Sequence, residues 1–320
     1  MGESLNRKKV SIRLASKAAM IRLAILLAIL MMGLLWLWST VLWMPGASYQ
    51  GPLPPLQPAE ITLENLLQQD IQKIAVEIGP RNANQYDQLN ATKAFLETAL
   101  GQSGYQVTEQ AYTIDDKTYY NLAVEKKGTE LPNEVIIVGA HYDSVFASVG
   151  ANDNGTGVAA TLELAKIFAQ KSPKRTVRFV EFTNEEPPFF WTENMGSLVY
   201  AKQIDPQQEK VVAMLSLETM GYFSDVPGSQ QYPSILNWFY PNQGNFITFV
   251  GNLKSRDLIR KSIASFRRHT QFPSEGACLP AWIPGVGWSD QWSFWQQGYQ
   301  GIMITDTAPF RYPYENSAGV

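Results

Sequence analysis

Residues 23–44 read LAILLAILMMGLLWLWSTVLWM, a run of 22 residues without a charged side chain. Only a continuous helix satisfies every backbone N–H and C=O in so apolar a stretch. Such a helix rises about 33 Å and matches the roughly 30 Å hydrocarbon layer of a bilayer. Trp36, Trp38 and Trp43 crowd its C-terminal end, where aromatic rings favour the membrane interface. Six cations precede or open it (Arg7, Lys8, Lys9, Arg13, Lys17, Arg22) against one acid, Glu3. That asymmetry orients a single-pass signal anchor with its N-terminus cytoplasmic and the rest of the chain exported. A cleaved signal peptide is the competing reading. Its apolar region would run about 7–15 residues into a small-x-small site, and Pro45-Gly46-Ala47-Ser48 matches such a site poorly.

The chain therefore divides into a cytoplasmic basic segment (1–22), a transmembrane helix (23–44), a linker (45–58) and a body (59–320). The linker holds five prolines in fourteen residues and is expected to be extended. Outside residues 1–22, the remaining 298 residues carry 20 basic and 28 acidic side chains. A body so acidic has little with which to neutralise phosphates, which excludes nucleic acid as a partner. At 45% hydrophobic and 17% charged residues the chain buries a core and is not a disordered tail. One cysteine, Cys278, excludes a disulfide framework and thiolate-clustered zinc; two histidines, His141 and His269, exclude a His-rich site. Any metal must lean on carboxylates.

Within the body, apolar spacing predicts helices over 63–78, ended by Gly79-Pro80, and over 86–100. Residues 105–113 and 118–126 alternate and predict a hairpin turning at Asp115-Asp116-Lys117. Short apolar runs at 135–138, 177–182, 211–217, 246–250 and 301–305 predict buried strands, with helices at 157–170 and 197–203 between them. Alternating strands and helices imply an α/β fold: a three-layer α/β/α sandwich around a mixed, mostly parallel sheet. Its ligand site belongs beyond the C-terminal ends of the strands.

Acids follow those strand ends. GAHYDS holds His141 and Asp143, GANDNGTG holds Asp153, TNEEPPFF holds Glu185 and Glu186, and one strand runs into Glu218. Gathered on one sheet edge and unpaired, they would repel, and burying each would cost several kcal/mol. One or two divalent cations resolve that, and nitrogen and oxygen donors suit zinc. Any one of these acids alone is more simply a solvated strand end; the set, with the body's one strand-end histidine, is a metal site. Adjacent Glu185 and Glu186 project differently, so one can bind metal while the other faces the attacking water as a general base.

HYDS, NDNGTG, FTNEEPPFF and SLETMGYF together resemble the zinc aminopeptidases of metallopeptidase family twenty-eight. That family also contains glutaminyl cyclases and transferrin-receptor-like proteins. The resemblance runs from Gly79 to Phe310 and includes GPRN, the SDQWSFW segment and TDTAPFR. It implies a membrane-anchored exopeptidase acting on peptide substrates with two zinc ions. His141 and Glu218 would hold one, Asp153 would bridge, Glu186 would hold the second, and Glu185 would be the base. It also implies a cis peptide between Asp153 and Asn154. Three departures stand out. The family usually has Asp where Glu218 stands. Its last metal-ligand His falls at Asn316, leaving Glu315 or Asn316 as substitutes, and the closing helix is missing, so the C-terminal end reads as incomplete. Its Ser-Asp-His becomes Ser289-Asp290-Gln291. A catalytically impaired binding ectodomain and a glutaminyl-cyclase-like transferase are the alternatives this leaves.

The expected pocket residues are Asp290, Gln291, Trp292 and Tyr222, within an aromatic-rich stretch holding five of the nine tryptophans. Gly155 to Ala160 match a dinucleotide fingerprint but lack its preceding strand and following acid. His269 reads as a surface residue and Cys278 as a buried apolar one. Asn90 and Asn154 open glycosylation sequons.

Overall fold

The computed structural model describes residues 16–312. The chain separates into two units, residues 1–43 and 44–320. In the first unit a helix, α1 (Lys17–Leu37), continues through a wider turn to Leu42, and none of α1 is buried. Length and composition let Lys17–Leu42 cross a membrane. The cations Arg7 to Arg13 lie outside the described residues.

The second unit is built on eight strands and six helices: α2 (Pro58–Ile71), α3 (Tyr86–Gln102), β1 (Thr108–Ile114), β2 (Lys117–Lys126), β3 (Leu131–His141), α4 (Gly157–Ala169), β4 (Arg175–Phe182), α5 (Gly196–Lys202), β5 (Lys210–Glu218), β6 (Ile247–Gly251), α6 (Arg256–His269), β7 (Ser274–Cys278), α7 (Gln291–Gln296) and β8 (Gly301–Thr305). The strands form one mixed sheet in the order β1-β2-β4-β3-β5-β8-β6-β7. Strands β3, β4, β5 and β8 run parallel; β1 and β2 are a hairpin closed by Asp115 and Asp116, both left-handed. Short polar side chains tolerate that conformation, and a two-residue turn of this hand matches the strand twist.

Period-two alternation assigns the two faces. Val138, Ala140, Val177 and Phe179 pack with Leu96, Leu100, Leu162 and Ala165 of α3 and α4. Val135, Ile137, Val180 and Phe182 pack with Ala201 and Phe294 of α5 and α7 on the opposite face. Both faces of the central strands are thus buried, which is why they read as near-continuous apolar runs.

Helix α6 and strand β7 were not expected. The apolar stripe of α6 is thin (Ile259 and Ile263 buried) among Arg, Lys and Asp, and β7 offers only Ala277 and Cys278 as apolar residues. The 45–58 stretch begins inside the body rather than as a free tether. Met44 packs with Ile247, Phe249, Ile259 and Ile263, and Arg267 donates to the carbonyls of Pro45 and Gly46. The Ser48 hydroxyl accepts from Ser274 N at 2.9 Å. A chain starting at Met44 is therefore expected to fold, whereas one starting at residue 59 loses a buried methionine, at a cost of at least ~2 kcal/mol. Comparing urea midpoints of the two checks this; equal midpoints would show that the 44–48 contacts contribute nothing.

Candidate active site

The sheet register gathers the strand ends. His141 pairs with Phe182, three residues before Glu185. Gly139 pairs with Ser216, which puts His141 level with Glu218, and Glu218 pairs with Thr305. His141 is 1% exposed. Its Nε2 lies 3.3 Å from Asp153 Oδ1, 3.3 Å from Glu218 Oε2 and 3.8 Å from Glu185 Oε2. Two sets of possible metal donors share it: His141, Asp153 and Glu218, and His141, Glu185 and Glu186, with the atoms of each set within 4.8 Å of one another.

Local chain geometry sets each carboxylate. Asp153 sits between β3 and α4, and its peptide bond to Asn154 is cis, as the resemblance implied. Gly150 starts that loop with φ +55°, and a Cβ there would come within 2.5 Å of the Asp153 carbonyl. Gly157 has the same duty at the start of α4, where a Cβ would meet Leu217 O at 2.3 Å. Gly155 is likewise crowded, a Cβ there meeting Gly150 O at 2.8 Å, so all three glycines of the stretch serve close backbone approach. Asn154 is buried and ties the loop to β5: Nδ2 donates to Leu217 O, and Oδ1 accepts from Gly157 N and Thr219 N. Its sequon is therefore inaccessible in the folded state.

Three residues organise the site in ways sequence reasoning did not assign: Asp143, counted there only among the metal-site acids, and Ser289 and Arg81, given no role. The Asp143 carboxylate accepts from the backbone N–H of Glu185 (3.1 Å) and of Glu186 (3.0 Å), aiming the acidic pair. Ser289 Oγ donates to Glu218 Oε2 at 2.5 Å. Arg81, of the GPRN segment, is fully buried and donates to Tyr142 O, Val149 O and Gly150 O, so one guanidinium spans the loop leading to Asp153. The signal for Arg81 was present in GPRN; for Asp143 it was present in HYDS.

Electrostatics follow from crowding. Burial pushes the carboxyls of Glu185 and Glu186 well above the ordinary range, and their acidic neighbours push the same way against the opposing pull of His141. Glu218 is raised for the same reason, with the Ser289 hydroxyl acting against it. Burial would lower His141, but Glu218 and Glu185 outweigh it and hold the imidazole well above its usual value. Glu186 Oε1 is buried without a hydrogen-bond partner. Buried, mutually repelling acids around an imidazole, with an orphaned oxygen, fit a divalent cation with nitrogen and oxygen preference. The substitutes Glu315 and Asn316 lie outside the described residues.

The cluster opens into a cavity of about 470 Å³ whose walls include Phe190, Tyr232, Leu236, Phe246, Ile283 and Trp288. The expected pocket residues do not line it. Asp290 and Gln291 are fully buried, Gln291 Nε2 donating to Val286 O and the Asp290 carboxyl pushed by burial to about 7. Trp292 stacks on Trp191 at 5.8 Å, and Tyr222 packs edge-on against Tyr312. Sequence proximity to a functional segment says nothing of side-chain direction: at the start of α7, Asp290 and Gln291 turn inward and are fully buried. Of Ser289-Asp290-Gln291, Ser289 hydrogen-bonds to the cluster, and the Asp290 carboxyl lies near enough to feel the charges of His141 and Glu218. His269 closes α6 with Nδ1 2.7 Å from Ser265 O and is exposed; Cys278 is buried, its thiol pushed up to about 11.

The family model described as Peptidase family M28 matches residues 121–319. An uncharacterised protein of Escherichia coli K12, YfbL, is 35% identical over 254 residues, 77% of each chain. An aminopeptidase of Pseudomonas aeruginosa is 34% identical over 161 residues, half of this chain but only 27% of that protein's length. Among solved structures, BSAP, a zinc aminopeptidase from Bacillus subtilis, superposes with a TM-score of 0.62 at 13% identity, over 78% of this chain and 87% of that one. A glutaminyl cyclase of Tannerella forsythia has the same fold, with a TM-score of 0.54 at 18% identity over 78% of this chain and 88% of its own. The chain belongs to peptidase family M28.

Proposed function

We propose that the chain is a membrane-anchored, zinc-dependent aminopeptidase whose body lies outside the cytoplasmic membrane. One observation carries the reading: Asp143 holds Glu185 and Glu186 side by side against a buried His141, Asp153 and Glu218 at the mouth of an apolar cavity. His141, Asp153 and Glu218 are the residues to hold one zinc ion; Asp153 and Glu186 are the residues to hold a second. Zinc bound there supplies Lewis acidity toward the scissile carbonyl.

The chain's own residues do the rest. Glu185 accepts the proton of the attacking water and returns it to the leaving amine. Burial raises its proton affinity, which favours taking a proton from the water. The Ser289 hydroxyl holds the Glu218 carboxylate in place, and Asp143 fixes the spacing of base and ligand. The cavity walls exclude water and receive the N-terminal side chain of the peptide. Anchoring rests on the apolar run and its aromatic C-terminal end.

The test uses the purified full chain in detergent. Expected results are bound zinc, hydrolysis of aminoacyl anilides, and loss of both on dialysis against a chelator, restored by added zinc. His141→Ala is expected to lower zinc content and activity together, since a lost ligand typically removes most of the affinity. A folded protein that binds no zinc and cleaves nothing would instead mark a binding ectodomain.

A further inference from the structure

The sheet carries one polar row beneath an otherwise apolar cavity. Glu218 of β5 pairs with Thr305 of β8, Thr305 pairs with Thr248 of β6, and Thr248 pairs with Glu275 of β7. Paired residues on neighbouring strands project from the same face, and all four line the cavity. With strands about 4.8 Å apart, three steps separate the two glutamates by about 14 Å. The row thus starts at the acidic cluster and ends at a carboxylate far from it. Alongside it on the same face runs an apolar row, Met303, Val250 and Ala277, which offers contact to a hydrocarbon stem.

The far end is built like a cation trap. The rings of Tyr232 and Tyr240 stack at 5.6 Å, and both line the cavity with Glu275. The Tyr240 hydroxyl donates to Gly276 O at 2.9 Å, next in the chain to Glu275, and burial followed by the Glu275 charge pushes both phenols up. Aromatic faces next to a carboxylate attract ammonium and guanidinium groups. Thr248 is 6% exposed, and its Oγ1 has no hydrogen-bond partner. A buried hydroxyl aimed into a cavity without a partner is an unmet polar demand. Glu275 itself is half-buried and is met by the Ser48 hydroxyl, while Arg267 faces it from α6 with its nitrogens committed to Ser274, Pro45 and Gly46.

We propose that Glu275, with Thr248, Tyr232 and Tyr240, forms a specificity pocket for the side-chain cation of an N-terminal arginine or lysine. This rests on the aminopeptidase reading above and names its substrate class. From carbonyl carbon to terminal nitrogen such a residue extends roughly 8–9 Å by standard bond lengths. Contacts of about 3 Å at each end bring the total to about 14–15 Å, comparable with the backbone span of the row. A leucine or phenylalanine side chain would fill only the near half, leaving the Thr248 hydroxyl without a partner and bringing no cation to Glu275.

The test compares arginyl, lysyl, leucyl and phenylalanyl anilides on the full chain in detergent. In parallel, binding of free L-arginine and L-leucine to the zinc-loaded protein is followed by thermal shift, which needs no turnover. Expected is a kcat/KM for arginyl and lysyl substrates at least ten-fold above that for leucyl. The arginine-to-leucine ratio should fall ten-fold or more in Glu275→Gln and be largely retained in Glu275→Asp. The same order is expected in binding. If anilides are cleaved but leucyl leads and the ratio is unmoved by Glu275→Gln, the pocket assignment is wrong while the peptidase reading stands. If nothing is cleaved yet arginine binds in a Glu275-dependent way, the pocket stands and the peptidase reading fails. Absence of both cleavage and binding overturns both.

Discussion

Replacing Glu185 with glutamine is expected to lower kcat by a factor on the order of 10²–10⁴, the range a positioned general base contributes, while zinc content stays at the wild-type level. The substitution keeps shape and removes only the capacity to take a proton. The backbone N–H of residue 185 still donates to Asp143, so the placement of Glu186 is kept. The imidazole of His141, 3.8 Å from Glu185, keeps its closer contacts with Asp153 and Glu218. One buried acid fewer also relieves repulsion within the cluster, so Glu185→Gln should be no less stable than the parent in urea. Activity lost together with zinc would mean that residue 185 is a ligand. Activity retained would remove it from the chemistry. The contrasting variant is Asp143→Ala, which frees two backbone N–H groups and should lower kcat with little change in KM for leucyl and arginyl substrates alike.

The central sheet and the acids at its edge were legible in the sequence because both faces of β3, β4 and β5 are buried, so their apolar runs stand out and their ends are abrupt. His141, Glu185 and Glu218 follow those ends directly, and proximity in the register does the rest. The other half of the sheet was less legible. Strand β7 is five residues with a charge in it, and α6 buries only a narrow stripe among arginines. The pocket was misread for a related reason. Asp290 and Gln291 adjoin a site segment but are fully buried and do not line the cavity, whereas Glu275 reaches it because β6 stands between β8 and β7. A side chain's neighbours across three strands are set by sheet order, which periodicity does not encode. Asp143 and Arg81 lay in plain view within short segments, but their work is done on backbone atoms. No pattern of residue types announces a carbonyl that needs a donor.

Arg81→Met is expected to destabilise the body by several kcal/mol, in the range of ~3–5 for removal of one partner from a buried charged network. The guanidinium is fully buried, and its three donors satisfy Tyr142 O at 2.6 Å, Val149 O at 2.5 Å and Gly150 O at 2.9 Å. Burial lowers its pKa to about 10, with Asp143, Asp153 and Glu186 pulling the other way, so it remains a cation at neutral pH. Methionine fills much of the volume but takes the donor from Tyr142 O and Val149 O, each costing about 1–3 kcal/mol, leaves Gly150 O with Gly155 N–H alone, and takes a positive charge from beside three acids. Lysine keeps the charge but cannot present a planar fork to three acceptors, so Arg81→Lys should recover only part of the loss. The functional consequence is separable from the global one. The loop held by Arg81 leads through Gly150 to Asp153, so Arg81→Lys, assayed well below its melting temperature, should bind zinc more weakly and restore full activity only in excess zinc. Urea unfolding with zinc titration measures both. A variant within ~0.5 kcal/mol of the parent, the level of an ordinary surface substitution, would mean that water replaces the guanidinium and that the loop to Asp153 holds its shape without it.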